Sequence, residues 1–170
     1  MTAPRRTFLL LDANVLIDYL KADLSILVLV DRHVGGIRIP MTVLEEVDGI
    51  DLDVCNRLGL NVVEPELDQL FAAAERRGSL SYPDHLCLVL ARENGWVCVT
   101  NDRALRNACK SEGIVVRWGL EIMLDLVRTG QLAPKKAREI AEAIHRANPF
   151  HVSPEILSRF ADRLREISSK

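Results

Sequence analysis

Several things are missing from this 170-residue chain, and each absence removes a class of function. The four cysteines, Cys55, Cys87, Cys98 and Cys109, contain no C-x-x-C pair, and three lie inside apolar runs. They read as reduced core residues of a cytoplasmic protein rather than as a disulfide framework. The four histidines, His33, His85, His145 and His151, form no H-x-x-x-H pair and no Cys/His ligand spacing, which argues against zinc. Any metal would have to be held by oxygen. There is no G-x-S-x-G elbow to suggest a nucleophilic serine. No uncharged run reaches the roughly 18 residues of a membrane span. Arg5-Arg6 superficially resembles a twin-arginine export signal, but Asp12 interrupts the apolar stretch and Asp18 and Lys21 follow it. A formal charge of −2 excludes a uniformly basic surface, so contact with nucleic acid must use local clusters.

What remains is an ordinary globular composition, 48% apolar and 27% charged, long enough for one domain or one domain with a short appendage. Residues 8–11 are a continuous apolar run ending at Asp12, as in a buried parallel strand. Helical periodicity follows over 15–20 and 24–34, with Gly35-Gly36 as the stop signal. A strand at 37–39 runs into Pro40, and Thr42 with Glu45 reads as a capping box for the next helix. Further strands are predicted at 61–63, 96–99 and 114–116. Helices are predicted at 67–77 with Gly78 as the stop, at 81–94 before Gly95, and at 102–111. Strands alternating with helices imply an α/β three-layer sandwich around a central parallel sheet. Beyond Leu120 the chain reads as a helical C-terminal extension.

Four acids fall where such a sheet gathers chemistry, outside the carboxyl ends of its strands. Asp12 follows the first strand, Asp102 follows the 96–99 strand, Glu46 lies just inside the helix after the second strand, and Asp84 lies in the first turn after Ser81. Taken singly, each has a structural explanation as a helix cap or a first-turn acid. Taken together they would repel one another unless a cation neutralised them, and hard oxygen donors favour Mg²⁺ or Mn²⁺. Asn14 would either hydrogen-bond a ligand of that site or stabilise the turn. Arg103, Arg106 and Lys110, on the helix after Asp102, would contact a nucleic-acid backbone or form a solvated face.

The segments 9–17, 39–47, 80–91 and 99–105 resemble the four acidic motifs of PIN domains, in that family's order, across roughly residues 7–118. The resemblance implies a Rossmann-like sheet, a divalent metal and ribonuclease activity on RNA. It makes Asp12 the first acid, Asp84 the third and Asp102 the fourth, these three as metal ligands, with Thr100 a supporting hydroxyl. The second acid is Glu45 or Glu46. Glu46 is preferred because an aliphatic residue follows it and because Glu45 is assigned to the capping box. The resemblance extends to toxin subunits of bacterial toxin–antitoxin pairs, which implies an antitoxin protein as partner, although those chains are usually more compact.

Two other readings compete. A phosphoaspartyl enzyme of the haloacid dehalogenase type would want a second acid where this chain has Asn14. A PIN fold serving as an RNA-binding or assembly module would not need a repulsive set of acids. The expected organisation is a nuclease domain over 1–148 and an appendage over 149–170. That appendage carries Leu157, Phe160, Leu164 and Ile167 as one apolar stripe, which would pack on its own domain, form a homodimer contact or seat a partner protein.

Overall fold

The computed structural model describes residues 5–75 and 78–170. Five strands, β1 (Phe8–Leu11), β2 (Gly36–Pro40), β3 (Asn61–Val63), β4 (Val97–Val99) and β5 (Val116–Arg117), form one parallel sheet in the order β3-β2-β1-β4-β5. The chain builds outward from β1 to β2 and β3, then returns to lay β4 against the other edge of β1. Right-handed crossovers therefore place the first helices and the middle helices on opposite faces. The central strand is covered on both sides, which is why Leu9, Leu10 and Leu11 are all buried despite pointing alternately up and down.

On one face run α1 (Ala13–Ala22), α2 (Ser25–His33) and the short α3 (Met41–Glu46) and α4 (Leu52–Leu58). On the other run α5 (Leu67–Ala74), α6 (Tyr82–Asn94) and α7 (Arg103–Ser111). Helix α6 lies against β1 and β4 and is covered in turn by α5 and α7. That sandwiching buries every residue from His85 to Ala91, so α6 is hydrophobic nearly all round rather than amphipathic.

Three C-terminal helices, α8 (Glu121–Arg128), α9 (Pro134–Ala147) and α10 (Pro154–Ser168), complete the chain. Helix α8 packs on α2, α9 on α1, and α10 on both α8 and α9. Phe160 and Leu164 of the α10 stripe are buried in the same core as the sheet, and Leu157 and Ile167 pack against it. Within this chain, then, the stripe has a partner. No helix among the described residues is long and apolar enough to cross a membrane.

Three local expectations are corrected. The Thr42/Glu45 capping box does not form: Pro40 is the N-cap of α3, Thr42 lies inside the helix, and its buried hydroxyl has no hydrogen-bond partner among the described residues. Gly35-Gly36 does not end α2 through a left-handed residue, since Val34 is right-handed and neither glycine has positive φ. The pair is needed for close approach: a Cβ on Gly35 would sit 2.8 Å from the Thr7 carbonyl oxygen, and one on Gly36 would sit 2.7 Å from the Phe8 ring. Helix α5 ends at Ala74, short of the Gly78 stop; Arg77, its expected last residue, lies outside the described residues.

Candidate active site at the strand switch point

The order of the sheet reverses between β1 and β4, and this is where a doubly wound sheet opens a crevice at its carboxyl edge. Parallel register pairs Leu11 with Val99, so the next residues, Asp12 and Thr100, leave the sheet side by side. Each then enters a helix. Asp12 caps α1, one carboxylate oxygen accepting from the Val15 amide at 2.9 Å. Asp102 caps α7 in the same way, accepting from Leu105 at 2.8 Å.

Thr100 ties the two caps together. Its fully buried hydroxyl donates to the second oxygen of Asp12 and accepts from the backbone amide of Asp102 at 3.0 Å. The structural role of each aspartate and its position at the crevice are therefore not alternatives. Capping fixes one oxygen and aims the carboxyl group.

A cavity of about 280 Å³ opens over Asp12, lined also by Asn14, Glu46, Asp84 and Cys87. Asp84 reaches it from the first turn of α6, whose N-cap Ser81 accepts the Asp84 amide at 3.3 Å. Glu46 stands at the exposed rim, on the last turn of α3. Glu45 is not among the lining residues. The choice of Glu46 thus rests on its position at the cavity, because the capping-box argument against Glu45 has gone. Asp102 borders the neighbouring groove rather than this cavity, but its charge is felt by Asp84.

The electrostatics are those of a site short of positive charge. Burial pushes the Asp12 carboxyl up to about 7 from 3.8, against the opposing bonds from Thr100 and Val15, and the charges of Asp84 and Asp18 add to the rise. Asp84 is raised by burial and by Asp102, and Glu46 by burial and by Asp84. The Cys87 thiol is pushed well up by burial and by the same acids, so it is no thiolate ligand.

An oxygen-only donor set under this strain fits a hard divalent cation. Among the described residues, however, no three His, Cys, Asp or Glu side chains gather closely enough to hold an ion by themselves. The fit is therefore to an ion of the Mg²⁺ type, which takes one or two carboxylates and retains water.

Two residues that matter here were not picked out from the sequence for the site. Asp18 is buried on α1 and accepts from Asn101 at 3.3 Å and from Asn148 at 3.0 Å. Burial raises its carboxyl, opposed first by the Asn148 bond. Asn101 also accepts from the Gly119 amide at 2.9 Å, while Tyr19 donates to the Gly119 carbonyl at 2.6 Å. This network fastens the loop carrying Thr100 and Asp102 to α1 and to the end of α9. The available signal was an acid set in the apolar run 15–20.

Of the three basic residues, Arg103 and Lys110 are exposed, whereas Arg106 is buried. Its guanidinium lies 3.6 Å over the Trp118 ring and donates to the Thr100 carbonyl at 3.2 Å, so it holds the loop rather than a phosphate. His85 points into the protein, its Nδ1 2.9 Å from the Ala73 carbonyl oxygen.

Fold and site together define an α/β protein of the doubly wound, Rossmann-like class with acids collected over its switch point. The chain belongs to the PIN-domain family, whose model matches residues 8–166. PIN domains are generally nucleases that use divalent metals on nucleic acid. Among solved structures, a PilT N-terminus domain protein from the hyperthermophilic archaeon Sulfolobus solfataricus P2 is similar, with a TM-score of 0.52. It is 16% identical over 69% of this chain and 91% of its own, a likeness of fold. A comparison with curated proteins returns no match.

Proposed function

We propose that this chain is a ribonuclease dependent on Mg²⁺ or Mn²⁺, hydrolysing RNA phosphodiester bonds at the cavity of Asp12, Glu46 and Asp84, with Asp102 at the end of the neighbouring groove. The observation that carries this reading is the buried Asp12 carboxyl, fixed by Thr100 and Val15 yet pushed up to about 7 with Asp84 nearby. Acids arranged in that way are a cost to the fold unless a cation joins them. Asp12 and Asp84 would hold the ion, and Glu46 at the rim would hold or orient water between ion and substrate. A divalent cation, when bound, makes water nucleophilic at neutral pH and offsets the charge that builds on the departing oxygen. Thr100 keeps Asp12 in one orientation, Asn14 offers a polar group at the cavity wall, and no nucleophilic side chain is required.

The test is Mn²⁺-dependent cleavage of single-stranded RNA by wild type, Asp12→Asn and Asp84→Asn. Each variant should lose more than the roughly 10–100-fold that removal of an outer-shell partner costs, with an unchanged circular dichroism spectrum. Full activity in either variant refutes the assignment. One observation favours a second reading, an RNA-binding or assembly module without cleavage: the absence, among the described residues, of three acids at chelating distance. RNA binding by a wild-type protein that cleaves nothing with Mn²⁺ would select it.

A finer placement belongs to the same proposal. The chain is taken as the toxin of a toxin–antitoxin pair, with a small antitoxin protein and a homodimer as partners to seek by co-purification. Four unpaired, buried cysteines support a cytoplasmic location.

A further inference from the structure

Beside the acid cavity lies a larger groove, about 800 Å³, whose near end is formed by Asn101 and Asp102. One wall is α7, where Arg103, Asn107 and Lys110 fall at i, i+4 and i+7 and so line one stripe roughly 10 Å long. Arg103 and Lys110 are exposed, and Asp102 is the one acid in the lining. The opposite wall is the connection between α9 and α10, which contributes Phe150 and His151. Phe150 is 87% exposed, more than any other large apolar side chain described. Its one ring contact among the described residues is a T-shaped one with His151, at 5.0 Å and 86°, so most of the ring stays open to solvent.

We propose that this groove binds the single-stranded stretch of RNA leading to the acid cavity, with an unpaired base stacked on Phe150 and backbone phosphates on Arg103 and Lys110. The inference rests on the ribonuclease reading for the identity of the strand, but its own support is independent of any metal. Cationic side chains along one wall and a free aromatic face on the other are the two elements that hold single strands without sequence preference. A duplex keeps its bases stacked on one another and would leave Phe150 without a partner. Continuity supplies the direction: Asp102 ends the groove, and its charge reaches Asp84 inside the cavity. The overall charge of −2 does not oppose this, because the basic stripe is local.

The experiment is fluorescence anisotropy with a labelled oligouridine twelve-mer in EDTA, where no cleavage can occur. Phe150→Ala, at an exposed position that does not threaten folding, should weaken binding by about tenfold, within the range for loss of one stacked base. Phe150→Trp should restore it. Arg103→Ala and Lys110→Ala should each lower the slope of log affinity against log salt by about 0.7. An oligouridine–oligoadenosine duplex should bind more weakly than the single strand. The proposal is overturned if wild type does not bind the single strand, if Phe150→Ala binds as wild type does, or if the duplex binds as tightly. The two readings fail separately. A protein that shows the Phe150 effect but never cleaves with Mn²⁺ keeps the groove and loses the nuclease. Cleavage by Phe150→Ala at an unchanged KM keeps the nuclease and loses the groove.

Discussion

At the acid cavity the chain buries negative charge, whereas in the groove beyond Asp102 it exposes positive charge and an aromatic face. Thr100 joins the two regions by bonding Asp12 of one and Asp102 of the other, yet one is small and shaped by backbone caps, and the other is broad and built from side chains of α7 and the α9–α10 connection. The difference suits the two tasks proposed for them. Holding a cation needs fixed oxygens with little competing solvent, while holding a strand needs donors and a stacking surface that remain open to it. A net charge of −2 over the whole chain reveals neither region, because both are local.

The largest effect expected from breaking the contrast is on stability, by removing the buried charge. Folded Asp12 keeps its proton up to about pH 7, while the unfolded chain releases it near 3.8. Between those values the unfolded state binds fewer protons, so the contribution of this group is fully present below about pH 3.8 and is lost as pH rises through 7. Asn at this position caps equally well and carries no charge. In EDTA at pH 8, Asp12→Asn should therefore melt several degrees above wild type, with an upper bound of about 4 kcal/mol, and the gain should vanish near pH 4. A gain that grew towards acid pH would mean that burial is not what raises this carboxyl.

Next in size is Thr100→Val, which removes the hydroxyl between the two caps while keeping shape. It should lower kcat by about 10–100-fold, with KM little changed, since it frees the Asp12 carboxyl and touches neither Phe150 nor the basic stripe of the groove. A variant altered in KM alone would place Thr100 on the binding side of the border. Smaller again is Glu46→Gln, at the solvent-exposed rim, which should remove most activity, on the order of tenfold. Glu45→Gln should leave it unchanged. The opposite outcome would exchange their roles.

Much of this was legible in the sequence where a local signal and the tertiary demand agreed. The apolar run 8–11 ending in Asp12, the Ser81–Pro83 start of α6 and its Gly95 stop each name their own structure, and the alternation of strands with helices names the parallel sheet though not its strand order. The misreadings came where the same local signal serves two demands. Thr42 and Glu45 have the spacing of a capping box, but Pro40 starts α3 two residues earlier. Gly35-Gly36 has the composition of a helix stop and is used for close passage of β2 along β1. Helix α4 was missed although Asp51 and a left-handed Gly59 cap it, because seven residues are too few to show periodicity. Arg106 reads in the sequence as a surface cation and is buried, and the role of Asp18 is not legible without the fold. Trp118, Asn101 and Asn148, which give them their partners, are distant in sequence. The division after residue 148 and the α10 stripe were visible, but not the α8 and α9 surfaces that receive the stripe.

The central claim is that the cavity is a cation site, and calorimetric titration of Mn²⁺ into metal-free protein at pH 7 tests it most directly. Wild type should bind Mn²⁺ and release protons, because a cation must displace the proton that Asp12 still partly holds at that pH. The Asp12→Asn, Asp84→Asn double variant, folded by circular dichroism, should show neither binding nor proton release. Equal binding by wild type and the double variant, or none by wild type, would contradict the account.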